Sequence, residues 1–560
     1  MANNHQSTME MQLVNGPCVT VPKGKSLLEV LELSGLHFPL PVVAAKINNR
    51  LTNLRHKLRV DSRVEFIDCA HPEGFRVYQS SLSFLLGMAV KRLFPDATLK
   101  VEHSLSKGLY CELIKDTPLT VDDTARIDAE LTRLVNLNLD IEKEKTYLDE
   151  ARVFFNRTGQ TDKIRLFRFS NPHTVDMYVC QEYQNYSDCP LAPYTGILGF
   201  FHLVFHPPGF IIQMPEPFAS TDGVKAEQVV PEFISQPNLF RVFQEFAQWL
   251  KILDLEDVGA LNELTVRKEY EEIIRISEAL HEKKIGQLAD AVSQCRIVLI
   301  AGPSSSGKTT FAKRLADQLK VNGLLAEIIS LDDYFLDREA TPKDERGEYD
   351  FESLYALNIP LLQDHFRMLL DGREVSMPKY SFHTGKSMPG YRQLKPGPKT
   401  VLMFEGIHAI NPELIRNLPM DLIKRIYVSP LTALSMDNHN RIPTTDVRLL
   451  RRMVRDYLFR GYDALSTLHR WHSVRRGEVT YIFPYQKDAD LFFNSALVYE
   501  LAVLKRYAEP ILLRISTEHP EYSEARRLLK FLSYFQDIPP DQIPTTSILR
   551  EFIGASGFMY

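Results

Sequence analysis

The sequence predicts a multidomain protein of mixed α/β and α+β class, on three observations. The chain has 560 residues, and one hydrophobic core rarely serves more than about 250–300. From Arg296 onward, fully apolar strands alternate with amphipathic helices, the pattern of a parallel sheet covered by helices on both faces. Before Asp68, short apolar strands alternate with polar turns instead, which describes a small α+β module. Hydrophobic residues make up 44% and charged residues 24%, ordinary for a globular chain in water. A net charge of −5 argues against a whole-protein polyanion binder but leaves room for a local basic patch. Six cysteines, none in a CxxC pair, indicate neither a disulfide framework nor a zinc ribbon and fit a reducing cytoplasm. The opening MANNHQSTMEMQLV lacks a charged segment followed by an apolar one, so no signal peptide is expected.

In chain order, VTVPKGKSLLEVLELSG reads as a strand, a turn and a short helix, and VVAAKINNRLTNL as a hairpin turning at Asn48-Asn49. RVEFID closes a first unit over residues 10–70. The period then becomes helical: SSLSFLLGMAVKRLF sets Leu82, Leu85, Leu86, Ala89, Val90 and Leu93 near one face. That helix belongs to a second α+β unit, residues 71–225, with another helix around Ala125–Leu137. Gly196–Met214 is the most hydrophobic stretch, but two histidines and Pro207-Pro208 interrupt it short of the roughly 18 apolar residues of a membrane helix. Two strands about a Pro-Pro-Gly turn fit better. On such a strand His202 and His206 share a face roughly 13 Å apart, too far for one metal. Residues 226–294 read as a charged helical connector. In residues 295–515, RIVLIAG, LLAEIISLDD, TVLMFEGI and RIYVSP read as strands, and KTTFAKRLADQLKVNG as a helix stopping at Gly323. Residues 516–560 read as a helical tail broken by prolines.

Gly302-Pro303-Ser304-Ser305-Ser306-Gly307-Lys308-Thr309, followed by Thr310, fits GxxxxGK[ST] between an apolar strand and an amphipathic helix. Glycines let successive backbone N–H groups curl around phosphate oxygens. The helix N-terminus adds positive potential, Lys308 adds a mobile charge, and Thr309 offers a hydroxyl to Mg²⁺. No NKxD-type guanine reader is found. Asp332 and Asp333 end the second strand and Glu405 ends the third, where carboxylates line the site of an open parallel sheet. One can accept a proton from an attacking hydroxyl and another can hold Mg²⁺; each can equally cap a following helix. In RLLRRMVRDYLFRG, Arg451 and Arg455 lie one turn apart, as do Asp456 and Arg460, which suits a lid over a transferring phosphoryl group.

In this order, GPSSSGKT, SLDDYF, YDFES, PKYSFHTGK, VLMFEG and RRMVRDYLFRG resemble the uridine kinase and phosphoribulokinase family of P-loop kinases. The resemblance implies an ATP- and Mg²⁺-dependent nucleoside kinase of the uridine/cytidine type, phosphorylating a ribose 5′-hydroxyl. It implies Asp332 as base, Asp350 on the ribose hydroxyls, Tyr380 and His383 on the pyrimidine, and Glu405 with Thr309 at Mg²⁺. Lys308, Arg451, Arg455 and Arg460 would meet the phosphates. The segment after Tyr380 is short, and the insert TLHRWHSVRRGEVTYIFPYQ follows the lid, so a different small sugar or metabolite stays open as acceptor.

VAAKINNRLTNLRHKLRVDSRVEFID resembles the TGS domain, a ubiquitin-like module of threonyl-tRNA synthetases and some GTPases. Its Lys46, Arg50, Arg55, Lys57, Arg59 and Arg63 suit contact with RNA phosphates. SFLLGMAVKRLFP resembles a helix of the synthetase editing domain. That family's HxxxH positions fall on Ser80 and Phe84, and its later CxxxH pair falls near Ser187 and Leu191. Phenylalanine and leucine neither bind a metal nor move a proton, so no editing is expected. A second reading is an RNA-associated regulatory protein whose P-loop senses nucleotide. No membrane partner is expected, and the oligomeric state stays open.

Overall fold

The computed structural model describes residues 8–560 except 15, 171, 216–229, 346 and 417. The first half of the opening MANNHQSTMEMQLV and the expected boundary near residue 225 lie outside the described residues.

The first unit contains β1 (Thr8–Leu13), β2 (Cys18–Pro22), α1 (Leu27–Ser34), β3 (Val42–Ile47), β4 (Arg50–Thr52) and β5 (Ser62–Asp68). Its sheet runs in the order β2-β1-β5-β3-β4. Alternation along β1 turns Met9, Met11 and Leu13 onto Leu27 and Val30 of α1. Ser26 and Glu29 form a capping box at the start of α1, satisfying two otherwise orphaned N–H groups. Asn48 and Asn49 both take positive φ, 48° and 62°, the geometry of a two-residue hairpin turn.

The second unit holds α2 (Pro72–Leu93), β6 (Thr98–Leu105), β7 (Gly108–Ile114), α3 (Val121–Asn136), β8 (Glu142–Tyr147), α4 (Leu148–Arg157), α5 (Thr161–Phe169), β9 (Thr174–Cys180), β10 (Tyr183–Tyr186), β11 (His202–His206) and β12 (Gly209–Gln213). Helix α2 starts earlier than its apolar period indicates, because Pro72 occupies its first turn and His71 caps it. Leu82, Leu85, Leu86 and Val90 share a core with Leu99, Leu131 and Phe210; each such side chain contributes about 1.5–3 kcal/mol when fully buried. Strands β11 and β12 pair antiparallel about Pro207-Pro208, with His206 opposite Gly209.

Helices α6 (Pro237–Ile252), α7 (Val258–Val266) and α8 (Tyr270–Val292) follow. The sequence reads this stretch as a connector, yet α8 is part of a core. Its Ile274, Ile285 and Leu288 pack in one cluster with Val298 and Leu315 of the next unit.

That unit comprises β13 (Ile297–Ala301), α9 (Lys308–Val321), β14 (Leu325–Ser330), α10 (Ile359–Leu370), β15 (Val375–Ser381), β16 (Lys386–Leu394), β17 (Thr400–Glu405), β18 (Ile423–Ser429), α11 (Thr444–Phe459), α12 (Ala464–Tyr481), β19 (Leu491–Asn494), α13 (Glu500–Leu512), α14 (Tyr522–Ser533) and α15 (Arg550–Ile553). The main sheet runs β14-β17-β13-β18-β19, parallel throughout. Val298 and Ile300 face one core, while Ile297, Leu299 and Ala301 face another. That is why RIVLIAG is apolar at every position. β15 and β16 form a separate hairpin.

Charged side chains join the two halves. Lys163 is fully buried and lies 3.4 Å from both Asp162 and Asp437. Arg76 of α2 pairs with Glu524, which pairs with Arg527 at 2.7 Å, which pairs with Asp446 of α11 at 2.7 Å. Between the halves lies a cavity of ≈ 1670 Å³. No described helix is long and apolar enough to cross a membrane.

Candidate active site

The loop between β13 and α9 is shaped by positions that reject side chains. A Cβ on Gly302 would meet the Val428 carbonyl oxygen at 2.0 Å, and Gly307 holds φ 86°. Ser305 also takes positive φ, 60°. These reversals deliver the chain to the N-terminus of α9, where the helix dipole is positive. The cradle fits a phosphate chain.

Lys308 is buried, and its ammonium donates to the Pro303 carbonyl oxygen at 3.1 Å. Burial lowers its pKa; Glu405, Asp332, Glu551 and Glu352 act in the opposite direction. Four carboxylates therefore act on this ammonium through space. In the register, Glu405 pairs with both Ile300 and Ser330, so three neighbouring strands end level with the loop.

The adjacent aspartates have separate tasks. Asp333 lies 3.1 Å from Lys379 and accepts from the Tyr380 N–H at 3.5 Å. Asp332 is not a helix cap: Ser330 takes that place, its hydroxyl accepting from the Asp332 N–H at 3.3 Å. Asp332 is exposed, and its carboxylate accepts no hydrogen bond from a described residue. The surrounding protein raises its pKa by desolvation, against the pull of Lys308, Arg460 and Arg455.

Glu405 is buried and accepts from the Thr309 hydroxyl at 3.2 Å. Desolvation pushes its pKa up to about 7, with Lys308 opposing and Asp332 and Glu551 adding to the rise. Two hard oxygens side by side, one on a carboxylate lacking a contact cation, fit a divalent ion such as Mg²⁺. Among the described residues no group of three or more His, Cys, Asp or Glu is arranged to hold a metal, so further ligands would come from phosphates and water.

The basic helix α11 divides its arginines in a way the sequence does not show. Arg451, expected on the phosphates, is fully buried beneath the loop. It pairs with Glu500 at 2.6 Å and donates to the Ser495 and Ser306 carbonyl oxygens. Its donors support the loop from below, because α13 places a carboxylate under it. Arg448 donates to the Ser304 carbonyl oxygen and pairs with Glu478. Arg452 reaches the Ser304 hydroxyl at 2.9 Å. Arg455 donates to Asp456 at 2.8 Å, and burial followed by the nearby Arg460 lowers its pKa. Arg460 is mostly exposed, 3.7 Å from Asp456. Arg460 and Arg455 both act electrostatically on the Asp332 carboxylate.

Asp350 accepts from the Glu352 N–H at 3.1 Å and lies 3.9 Å from Arg476. Tyr380 is buried among Phe335 and Phe382, with ring centroids 5.5 and 5.0 Å away. Its hydroxyl lies near Arg338 without a well-formed hydrogen bond. His383 is exposed in the turn between β15 and β16. Glu352 and His408 were missed by the sequence reading. Burial pushes Glu352 up to about 7, and it lies 3.8 Å from Arg452. His408 is buried, with burial lowering its pKa to about 4, so it is neutral. Their signals were faint: Glu352 stands two residues after Asp350, and His408 three after Glu405.

The C-terminal tail also reaches the loop. The Thr310 N–H donates to Glu551 at 3.2 Å and its hydroxyl at 2.5 Å, while the Tyr560 hydroxyl stands 2.8 Å from the Thr310 hydroxyl. In the front half, Phe84 is buried and packs on Tyr183 at 5.0 Å, Leu191 is buried, and Ser187 donates to the Cys189 carbonyl oxygen. Of the expected basic cluster, Lys46 is buried against Glu73 at 2.9 Å and Arg55 pairs with Asp140. Arg50, Lys57, Arg59 and Arg63 are exposed.

A phosphate cradle, strand-end carboxylates and an arginine-rich helix follow one another around a parallel sheet. Residues 297–502 match the Phosphoribulokinase / Uridine kinase family. The matched segment contains the phosphate loop, the strand-end carboxylates and α11. The N-terminal part is similar to threonine–tRNA ligases. It is 29% identical over 196 residues to that of Acinetobacter baylyi, covering 33% of this chain and 31% of the ligase. It is 28% identical over 198 residues to that of Pelobacter propionicus, covering 35% and 31%. The chain thus spans 31% of the length of these relatives. Among solved structures, a possible uridine kinase from Bacillus stearothermophilus is 18% identical, with 38% of this chain and 97% of that chain covered and a TM-score of 0.27. The D-glycerate 3-kinase of Cryptococcus neoformans var. grubii is 18% identical, covering 49% and 89%, with a TM-score of 0.19.

Proposed function

We propose that the protein is an ATP- and Mg²⁺-dependent nucleoside kinase of the uridine/cytidine type. It transfers the γ-phosphoryl group of ATP to a ribose 5′-hydroxyl. The observation that carries this reading is the uncommitted Asp332 carboxylate, held within the field of the buried Lys308 at the phosphate loop. Asp332 takes the proton of the attacking hydroxyl as its oxygen bonds to the γ-phosphorus and the bond to the β-phosphate oxygen breaks. The surrounding protein raises its pKa by desolvation, against Lys308, Arg460 and Arg455, which strengthens it as a base. Lys308, Arg455 and Arg460 compensate the charge that shifts onto the leaving phosphate. Thr309 and Glu405 would hold Mg²⁺, which when bound neutralises phosphate charge. Asp350 suits ribose hydroxyls, and the aromatic walls around Tyr380 suit a planar base.

Asp332→Asn is expected to lower turnover at least about 10³-fold while ATP binding measured by calorimetry stays within about threefold. ADP release should be stimulated by one nucleoside in a panel. Near-normal turnover in Asp332→Asn rejects the assigned base. Stimulation by another small sugar or metabolite moves the acceptor and keeps the chemistry.

A second reading, an RNA-associated nucleotide sensor, is favoured by one feature. Burial first, and then Lys143, Lys145 and Arg50, which line the cavity between the halves with His56, act to lower the His56 pKa. Tight, strongly salt-dependent RNA binding, with no nucleoside-stimulated ADP release, would decide for it.

A further inference from the structure

The C-terminal tail touches the phosphate loop at the place where an anion belongs. Thr310 is the third residue of α9, and the N–H groups of a helix's first turn have no partner within the helix. At a P-loop they face phosphate oxygens. Here one carboxylate oxygen of Glu551 accepts from both the N–H and the hydroxyl of Thr310. The contact is supported on both sides. Ile548 closes over Gly307, where an added Cβ would lie 2.5 Å from its Cγ2. Lys313 donates to the Met559 carbonyl oxygen and lies 4.6 Å from the centre of the Tyr560 ring.

The tail is buried in one part and more exposed in another. Ile548, Leu549, Phe552 and Ile553 are buried, and Phe552 packs under the Arg451 guanidinium at 5.1 Å. Beyond them Gly554 and Ala555 both take positive φ, 90° and 55°, and Met559 and Tyr560 are 92% and 62% exposed. Swinging the half-buried Glu551 side chain and lifting the last few residues would expose the Thr310 N–H without disturbing the buried anchor.

We propose that this strap is an intramolecular competitor of the nucleotide. Glu551 holds the Thr310 N–H and hydroxyl in place of a phosphate oxygen, and a bound nucleotide displaces it together with residues 556–560. The proposal rests on the reading of the loop as an ATP site. It makes the kinase partly self-occluded: the apparent affinity for nucleotide is reduced by the fraction of molecules with the strap closed.

The test is calorimetric titration of Mg·ATP into the full-length wild type, Glu551→Gln and Glu551→Ala, with thermal melting as a check on folding. Hydrogen exchange of residues 551–560 in the wild type, with and without Mg·ATP, needs no variant. Expected are about tenfold tighter binding in Glu551→Ala, a smaller gain in Glu551→Gln, and faster tail exchange when ATP is bound. Equal affinities together with unchanged exchange overturn the strap and leave the ATP site standing. Weaker binding in Glu551→Ala would make Glu551 part of the nucleotide site and also overturns it. No binding of ATP by any of the three proteins defeats the ATP-site reading, and the strap with it.

Discussion

Two buried lysines show how the same chemical parts serve different ends. Lys163, at the junction of the halves, and Lys308, at the phosphate loop, each face two or more carboxylates in low dielectric. Lys163 makes close pairs with Asp162 and Asp437 and contacts the His439 ring at 3.2 Å. Burial alone would lower its pKa, but Asp437 and Asp162 outweigh it and the pKa rises. Lys308 donates to one backbone carbonyl; its carboxylates act at a distance, and its pKa falls. A satisfied ammonium holds two surfaces together, whereas an underpaired one sits in a field prepared for an anionic ligand.

The sharpest way to break this comparison is to remove each charge. Lys163→Met leaves Asp162 and Asp437 without their cation and is expected to cost about 3–5 kcal/mol, read from urea unfolding. Lys308→Met removes a charge that burial already disfavours, so stability should hold or rise by about 1 kcal/mol while ATP binding disappears. Equal losses of stability would erase the distinction.

The arginines of α11 extend it. Arg451→Ala strands the buried Glu500 and should cost about 3–5 kcal/mol. Arg455→Ala leaves Asp456 paired with Arg452 at 3.3 Å, so it should cost less stability than Arg451→Ala but lower kcat about 10²-fold if the kinase reading holds. A melt and a rate measurement on each variant separate the two roles.

Glu405 gives the comparison a pH axis. Its folded pKa, about 7, lies above the ordinary 4.5, so between those values the folded state holds a proton that the unfolded state has released. Stability from this group is therefore fully present below about pH 4.5 and is lost as pH rises to about 7, on the order of 3 kcal/mol. Glu405→Gln should flatten that slope, measured as unfolding free energy at pH 5 and pH 8. Mg²⁺ affinity of the wild type should run the other way and strengthen as pH rises through 7.

The smallest effect is expected at His383. Exposed on its hairpin turn, it should change the KM for nucleoside by less than about twofold when replaced by alanine. A large KM change would mean that the turn folds over the substrate.

Features carried by neighbouring residues were readable in advance. Asn48-Asn49 specified a turn because few other residues accept two left-handed positions in a row. GPSSSGKT specified the cradle because the backbone reversals, the lysine and the helix start are all local. The division of labour along α11 was hidden. Arg448, Arg451, Arg452 and Arg455 form one continuous face at helical spacing. Which of them lies beneath the loop is set by Glu500, 49 residues beyond Arg451. Glu551 acts on Thr310 across 241 residues, and no local pattern announces such a contact. The four-residue strand β19 is too short to show a period, and α8 read as a connector because its charged outer face masks Ile274, Ile285 and Leu288.

The alternating chain Arg76–Glu524–Arg527–Asp446 gives the front half a mechanical meaning. It ends on the first turn of α11, the helix whose far end carries Arg455 and Arg460. Pulling the halves apart would strip these charges of their partners, so the front half is tied to the start of the helix that supports the phosphate loop.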